Sequence, residues 1–203
     1  MKKGLLIALV ALVAGAMMLL SLGGANHIIQ GKNFQVAEGF CKKDIGGDIV
    51  TLSQDDEDGL AVASLVADLI TEMGNCSYRT MTGTEGFDLM TARLKQAFAD
   101  DDYPARVREG YIASQLEKGV SDIWITNITF DQDGNAFVEA DYNTTLVFCD
   151  APATTILAAG YSHVGDTKRE GAMFVVVKEG GKWKIDVLTV KPAPKIDRDS
   201  QAV

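Results

Sequence analysis

Histidine and cysteine are scarce in this chain, with two histidines and three cysteines in 203 residues. That scarcity removes whole classes of chemistry. Cys41, Cys76 and Cys149 are nowhere spaced as C-x-x-C, and neither His27 nor His163 lies beside one of them, so no zinc site is expected. The sequence also lacks G-x-S-x-G, H-E-x-x-H and a phosphate-cradling loop, because Gly160 and Gly165 are too isolated to form one. Basic residues are outnumbered 19 to 28, for a net charge of −9. An acidic domain repels phosphate backbones, which disfavours nucleic acid as a partner. Lys32, Lys42 and Lys43 are too scattered to act as a polybasic lipid switch. Repeats and low-complexity tracts are missing as well, which leaves an ordinary globular composition.

What is present begins at the N-terminus. Lys2 and Lys3 precede an uncharged apolar run from Gly4 to Gly24. About 20 apolar residues at ~1.5 Å rise cross a ~30 Å hydrocarbon core. Residues 1–25 are therefore expected to be either an uncleaved transmembrane anchor or a cleaved signal peptide. The length favours the anchor, since signal-peptide apolar regions run about 7–15 residues. Gly23-Gly24-Ala25 permits cleavage, and no Cys follows at a lipid-attachment position. The two lysines put the N-terminus in the cytoplasm and the rest of the chain outside it. Ala11 and Gly15 form a small-xxx-small pair, more simply read as ordinary apolar-segment composition. An odd number of thiols outside the cytoplasm leaves at least one unpaired. A Cys76–Cys149 disulfide and small buried hydrophobes are the two readings of the others.

Residues 26–52 read as a connector with scattered glycines, in which 49–52 form a short strand or a lead-in. A helix is expected from an N-cap at Ser53. Asp55, Asp56, Glu57 and Asp58 favour its positive end, and Val62, Leu65, Val66, Leu69, Ile70 and Met73 recur at helical spacing up to Gly74-Asn75. The acidic group matches no EF-hand spacing, so it reads as helix chemistry. A second helix is expected over 85–98, with Phe87, Met90, Leu94, Ala97 and Phe98 as its stripe. A third follows Asp100-Asp101-Asp102, with Pro104 in its first turn. Val107, Tyr111, Ile112 and Leu116 are its expected buried face, and Gly119 is its stop.

The hydrophobic period then changes from 3.6 to 2. Strands are expected over 123–130 and 136–148, joined at Asp133-Gly134. Two more are expected over 172–178 and 183–190, joined at Gly180-Gly181. Residues 150–168 read as a loop and 192–203 as a disordered tail. Helices first and sheet last give α+β. N-terminal helices pack on a curved antiparallel four-stranded sheet, in a domain spanning 53–191 behind one N-terminal transmembrane helix. The sequons at Asn75, Asn127 and Asn143 read as chance matches, two of them inside expected strands.

The closing hairpin, VVVKEGGKWKIDVL from Val175 to Leu188, follows helices and a long second strand. In this it resembles the nuclear transport factor 2-like (cystatin-like cone) superfamily over roughly residues 50–192. One such domain behind a single span is similar to the bitopic scaffold subunit of type IV secretion and conjugative transfer machines. The resemblance implies a cone-shaped domain that binds other envelope subunits. Enzymes of that superfamily, such as ketosteroid isomerases, place an Asp or an Asp–His pair inside the cone. Here His27 lies beside the apolar run, His163 lies in a loop, and Asp141 shares a strand face with Glu139 and Asn143, which reads as solvated.

The chain is accordingly expected not to be an enzyme and to use no cofactor, metal or catalytic residue. Its expected function is that of a single-pass, membrane-anchored interaction or scaffold module of a transfer or secretion assembly. Its partners would be the membrane through residues 4–24, other envelope subunits and further copies of itself. If the signal is cleaved, the domain is secreted. The alternative is an exported small-molecule-binding or enzymatic cone, with Trp124, Phe137, Tyr142 and Phe174 lining an apolar pocket.

Overall fold

A computed structural model describes residues 26–28 and 33–191. The apolar run 4–24 and the tail 192–203 lie outside the described residues. Among those described, no helix is long and apolar enough to cross a membrane.

Helix α1 spans Glu57–Gly74. It starts later than Ser53 because Asp56 is the capping residue: its Oδ1 accepts from Gly59 N–H at 2.8 Å. Ser53 instead donates to Asp55 outside the helix. Val62, Val66, Leu69 and Ile70 of the expected stripe are buried, Leu65 and Met73 are only partly so, and Ala63 and Ala67 join the buried face. The second expected helix is split. Glu85 folds back to accept from Thr82 N–H (2.6 Å) and Gly83 N–H (2.9 Å). A 3-10 turn covers Phe87–Leu89, and α2, Ala92–Asp100, begins only where Thr91 accepts from Leu94 N–H at 3.1 Å. Helix α3, Tyr103–Ala113, is bounded by left-handed residues, Asp102 at φ 52° and Gln115 at φ 46°. The chain therefore turns before Leu116 and not at Gly119. None of its residues is fully buried, and Ile112 is 44% exposed, so the expected buried face is only a half-buried one. A short α4, Ala153–Ala158, interrupts the expected loop.

The sheet is where the expectation changes most. The α+β class stands, but the described strands form one mixed sheet larger than four antiparallel strands. Its order is β1 (Asn26–Ile28), β2 (Phe34–Ala37), β6 (Glu117–Phe130), β7 (Ala136–Phe148), β8 (Thr167–Glu179) and β9 (Lys182–Lys191). Strand β3 (Cys41–Ile45) pairs with β6 and with β4 (Asp48–Thr51), while β5 (Cys76–Ser77) pairs with the start of β6. Strands β2 and β3 run parallel to β6. The described residues of the expected connector, 26–28 and 33–52, are thus part of the domain. Phe34, Val36, Phe40 and Cys41 belong to its core, and Ile128 N–H donates to Phe40 C=O. Strands of four or five residues are too short to display a period, and their partner lies far along the chain.

The final hairpin forms at the expected turn. Gly180 (φ 59°) and Gly181 (φ 78°) both take the positive φ that a two-residue turn of this hand requires. Strands β6 and β8, however, begin earlier than expected, at Glu117 and Thr167. One face of β6–β9 packs on α1, with Ile125, Ile128, Val138, Ala140, Val176 and Ile185 at its centre. Register shifts between Ser121 and Trp124 and between Val175 and Val176 interrupt the ladder, irregularities of the kind that bend and twist a strand locally. The three cysteines are free thiols, so the Cys76–Cys149 bridge does not form. Cys76 Sγ donates to Met73 C=O (3.0 Å), and Cys149 Sγ to Ser114 C=O (3.5 Å).

Candidate functional site

A cleft of about 310 Å³ opens between the C-terminal half of α1, helix α3 and the early part of the sheet. Gly74 ends α1 where a Cβ would sit 2.1 Å from Val120 Cγ2, so only glycine lets β6 pass this close. The α1 wall is Leu69, Ile70 and Met73. The α3 wall is Tyr103, Val107 and Tyr111. The sheet supplies Lys118 from β6, Tyr142 and Thr144 from β7, Glu170 and Phe174 from β8, and Leu188 and Val190 from β9.

Apolar surface dominates this cleft, but charged and phenolic groups converge at one end of it. Tyr142 and Glu170 are register partners on adjacent strands and share the inner face. Glu170 forms an ion pair with Lys168 at 2.8 Å, and its charge helps hold the Tyr142 phenol protonated. Lys168 also donates to Ala159 C=O (2.8 Å) and sits 4.5 Å from the Tyr161 ring centroid. Tyr161, itself buried, donates to Thr144 Oγ1 at 2.9 Å. Lys118 is different. Its Nζ lies 5.6 Å from the Tyr111 ring centroid and makes no hydrogen bond or ion pair with the described residues.

Burial sets the electrostatics. It pushes the Lys118 ammonium below the usual lysine range, and Lys168 adds to that push while Glu170 opposes it. Burial also holds the phenols of Tyr103, Tyr111 and Tyr142 above their usual range, so they stay neutral donors. The Cys76 thiol is raised mainly by burial, with Glu85 adding to it, which keeps it a poor nucleophile. The thiol and phenols are thus held in their protonated, hydrogen-bond-donating forms.

Of the four residues expected to line a pocket, Tyr142 and Phe174 do so. Trp124 and Phe137 lie on the opposite face. Trp124 Nε1–H donates to Gln35 Oε1 (3.2 Å) beneath Arg169, and Phe137 is 41% exposed. Phe137 and Tyr142 are an odd number of residues apart, so a regular strand separates them. Asp141, the strongest acid candidate, is also on that outer face and pairs with Arg169 at 2.7 Å. Glu139 there pairs with Lys191 at 2.5 Å. His163 is an exposed loop residue whose Nδ1 lies 2.9 Å from Val164 O, and His27 falls in β1. The sequon amides are engaged: Asn75 accepts from Val120 N–H, Asn127 from Lys42, and Asn143 donates to Asp122. Among the described residues, no cluster suited to a metal ion occurs.

Sequence reasoning missed Lys118 and Glu170. Both lie on the early extensions of β6 and β8, where the inward positions are charged. The alternation Lys168-x-Glu170-x-Ala172-x-Phe174 is the signal that was available.

No protein-family model matches the chain, and no curated protein matches it. Among solved structures, the intermembrane space region of the chloroplast protein ARC6 is similar in shape. It is 15% identical, with a TM-score of 0.42, over 66% of this chain and 97% of that one.

Proposed function

We propose that the chain is a membrane-tethered, extracytoplasmic binding module of the cone type, whose working part is the cleft beneath α3. The single observation behind this reading is that cleft: apolar walls, neutral phenols and one lysine without a hydrogen-bonding partner among the described residues. The apolar run 4–24 supplies the tether, and Lys2 and Lys3 its orientation. A sheet with one face packed on a long helix is the arrangement from which the cone reading proceeds. Holding a ligand, as opposed to transforming one, fits the raised thiol and phenols.

The test is a ligand-dependent rise in melting temperature of the full chain in lipid nanodiscs, screened against small amphiphiles. A ligand at 100 times its Kd adds about 2.7 kcal/mol to the folded state. No rise with any amphiphile up to millimolar concentration rejects the reading.

A second reading is a scaffold subunit of a conjugative-transfer or secretion assembly, acting through protein contacts. The outer face of β7–β9 favours it: Phe137 and Met173 are 41% and 42% exposed there, beside the Asp141–Arg169 and Glu139–Lys191 pairs. Photo-crosslinkers at positions 137 and 173 in intact cells test it. Crosslinks to a second copy or to a defined envelope subunit support the scaffold, and an uncrosslinked monomer counts against it.

A further inference from the structure

Each charge in the cleft has a different fate. Glu170 is met by Lys168 at 2.8 Å and lies across the ladder from Tyr142. Glu85 is met by the N–H groups of Thr82 and Gly83, at 2.6 and 2.9 Å. Lys118 alone offers donors that no described residue accepts: its Nζ lies 5.6 Å from the Tyr111 ring centroid, and Glu170, Lys168 and Cys76 act on it only through their charge. An ammonium carries three donors and no acceptor, and a ring face satisfies charge without satisfying all of them. Beyond that cation the walls are apolar: Leu69, Ile70, Phe174 and Leu188.

We infer that the cleft selects a small monocarboxylate with an apolar tail, its head on Lys118 Nζ and its tail along α1 and β8–β9. This rests on the binding reading above and adds the ligand class to it. A carboxylate brings one negative charge and acceptor oxygens to one cation, making the strong charge-assisted bond. A phosphate dianion fits less well, because a single lysine neutralises half of it while Glu170 and Glu85 stand nearby. An alcohol fills the same walls without cancelling the charge. At ~30 Å³ per non-hydrogen atom, the share a water takes in liquid, a 310 Å³ cleft holds roughly ten such atoms. Octanoate has that size.

The experiment is equilibrium dialysis of radiolabelled octanoate against the full chain in lipid nanodiscs, with empty nanodiscs subtracted. Octan-1-ol, octylammonium and octyl phosphate are the comparison heads. Octanoate binds tightest, and octylammonium does not bind. Lys118→Met lowers octanoate affinity by about tenfold to a hundredfold and octanol affinity by much less. Glu170→Gln, which removes the competing carboxylate, tightens octanoate. That gain cannot come from damage to the fold. Equal binding of octanoate and octanol, tighter binding of octyl phosphate, or unaltered octanoate binding by Lys118→Met overturns the carboxylate assignment and leaves the binding reading standing. Failure of every head group to bind overturns both.

Discussion

The two ends of the same four long strands make opposite use of one face. Near the β6–β7 and β8–β9 turns, Ala136, Val176 and Ile185 form a rung across the sheet, each fully buried under Met90 and α1. At the other end, the rung Tyr142–Glu170 and the neighbouring Lys118 face a cleft. The β7–β8 register runs unbroken between them, so backbone hydrogen bonding there is not what differs. The cover is. At the closed end, Thr91 N–H donates to Ile185 C=O (2.9 Å), Thr91 Oγ1 donates to Asp186 (2.8 Å), and Arg93 also binds Asp186. At the open end, the cover is α3, none of whose residues is fully buried. A sheet face becomes a core or a site according to what is pinned over it.

The largest effect that tests this contrast comes from equal truncations at the two ends. Ile185→Ala lowers unfolding free energy by about 2–5 kcal/mol, as other fully buried aliphatic deletions do. Leu188→Ala, only half-buried at the cleft wall, costs less than half of that. Urea unfolding of both variants gives the ratio, and equal losses would erase the distinction between the ends.

Lys118→Met acts in the other direction. It replaces a desolvated, unpaired ammonium with an apolar chain and stabilises the fold by roughly 1 kcal/mol at neutral pH. The sign with pH follows from the lowered pKa of Lys118 in the folded state. Between that value and the ordinary lysine range, the unfolded chain binds more protons, so raising pH stabilises the folded wild type. The advantage of Lys118→Met therefore shrinks as pH climbs from 7 towards 10. Melting curves across that range read it, and a constant gap would be the wrong result.

Asp186→Asn loosens the pin at the closed end and costs about 1 kcal/mol, since Arg93 is largely exposed and its charge is screened. The hydrogen bond from Arg93, followed by that from Thr91, holds the Asp186 carboxyl below the usual carboxylate range. Its contribution is present above the unfolded aspartate pKa near ~4 and is lost as pH falls through the lower folded value. Acid titration should show wild type and variant converging as pH falls below the ordinary aspartate range. Smallest of all, Arg169→Ala on the outer face removes an exposed ion pair with Asp141 and shifts stability by no more than about 0.5 kcal/mol.

The contrast also explains what was legible in the sequence. The closed end announces itself through aliphatic alternation in 172–178 and 183–190 and through Gly180-Gly181, because burial on one face imposes a period of two. Helix α1 is legible for the same reason at a period of 3.6. The open end is hidden. Residues 117–122 and 167–171 continue the strands, but their inward positions carry Lys118, Lys168 and Glu170, and an apolar-pattern search ends where charge begins. The Ser121–Trp124 bulge then reverses parity within β6, so Trp124 turns outward. Strands β2 and β3 depend on parallel pairing with β6, a distance along the chain that local residues do not encode.

Helix α3 carries one more consequence. Left-handed residues bracket it at Asp102 and Gln115, and it buries no residue completely. Detaching it exposes half-buried side chains such as Tyr103, Val107 and Tyr111 but leaves the α1–sheet core whole. Its amides should exchange with deuterium well before those of 57–74, by an opening that does not require global unfolding. The same local detachment would let a solute reach Lys118 while the rest of the molecule stays folded.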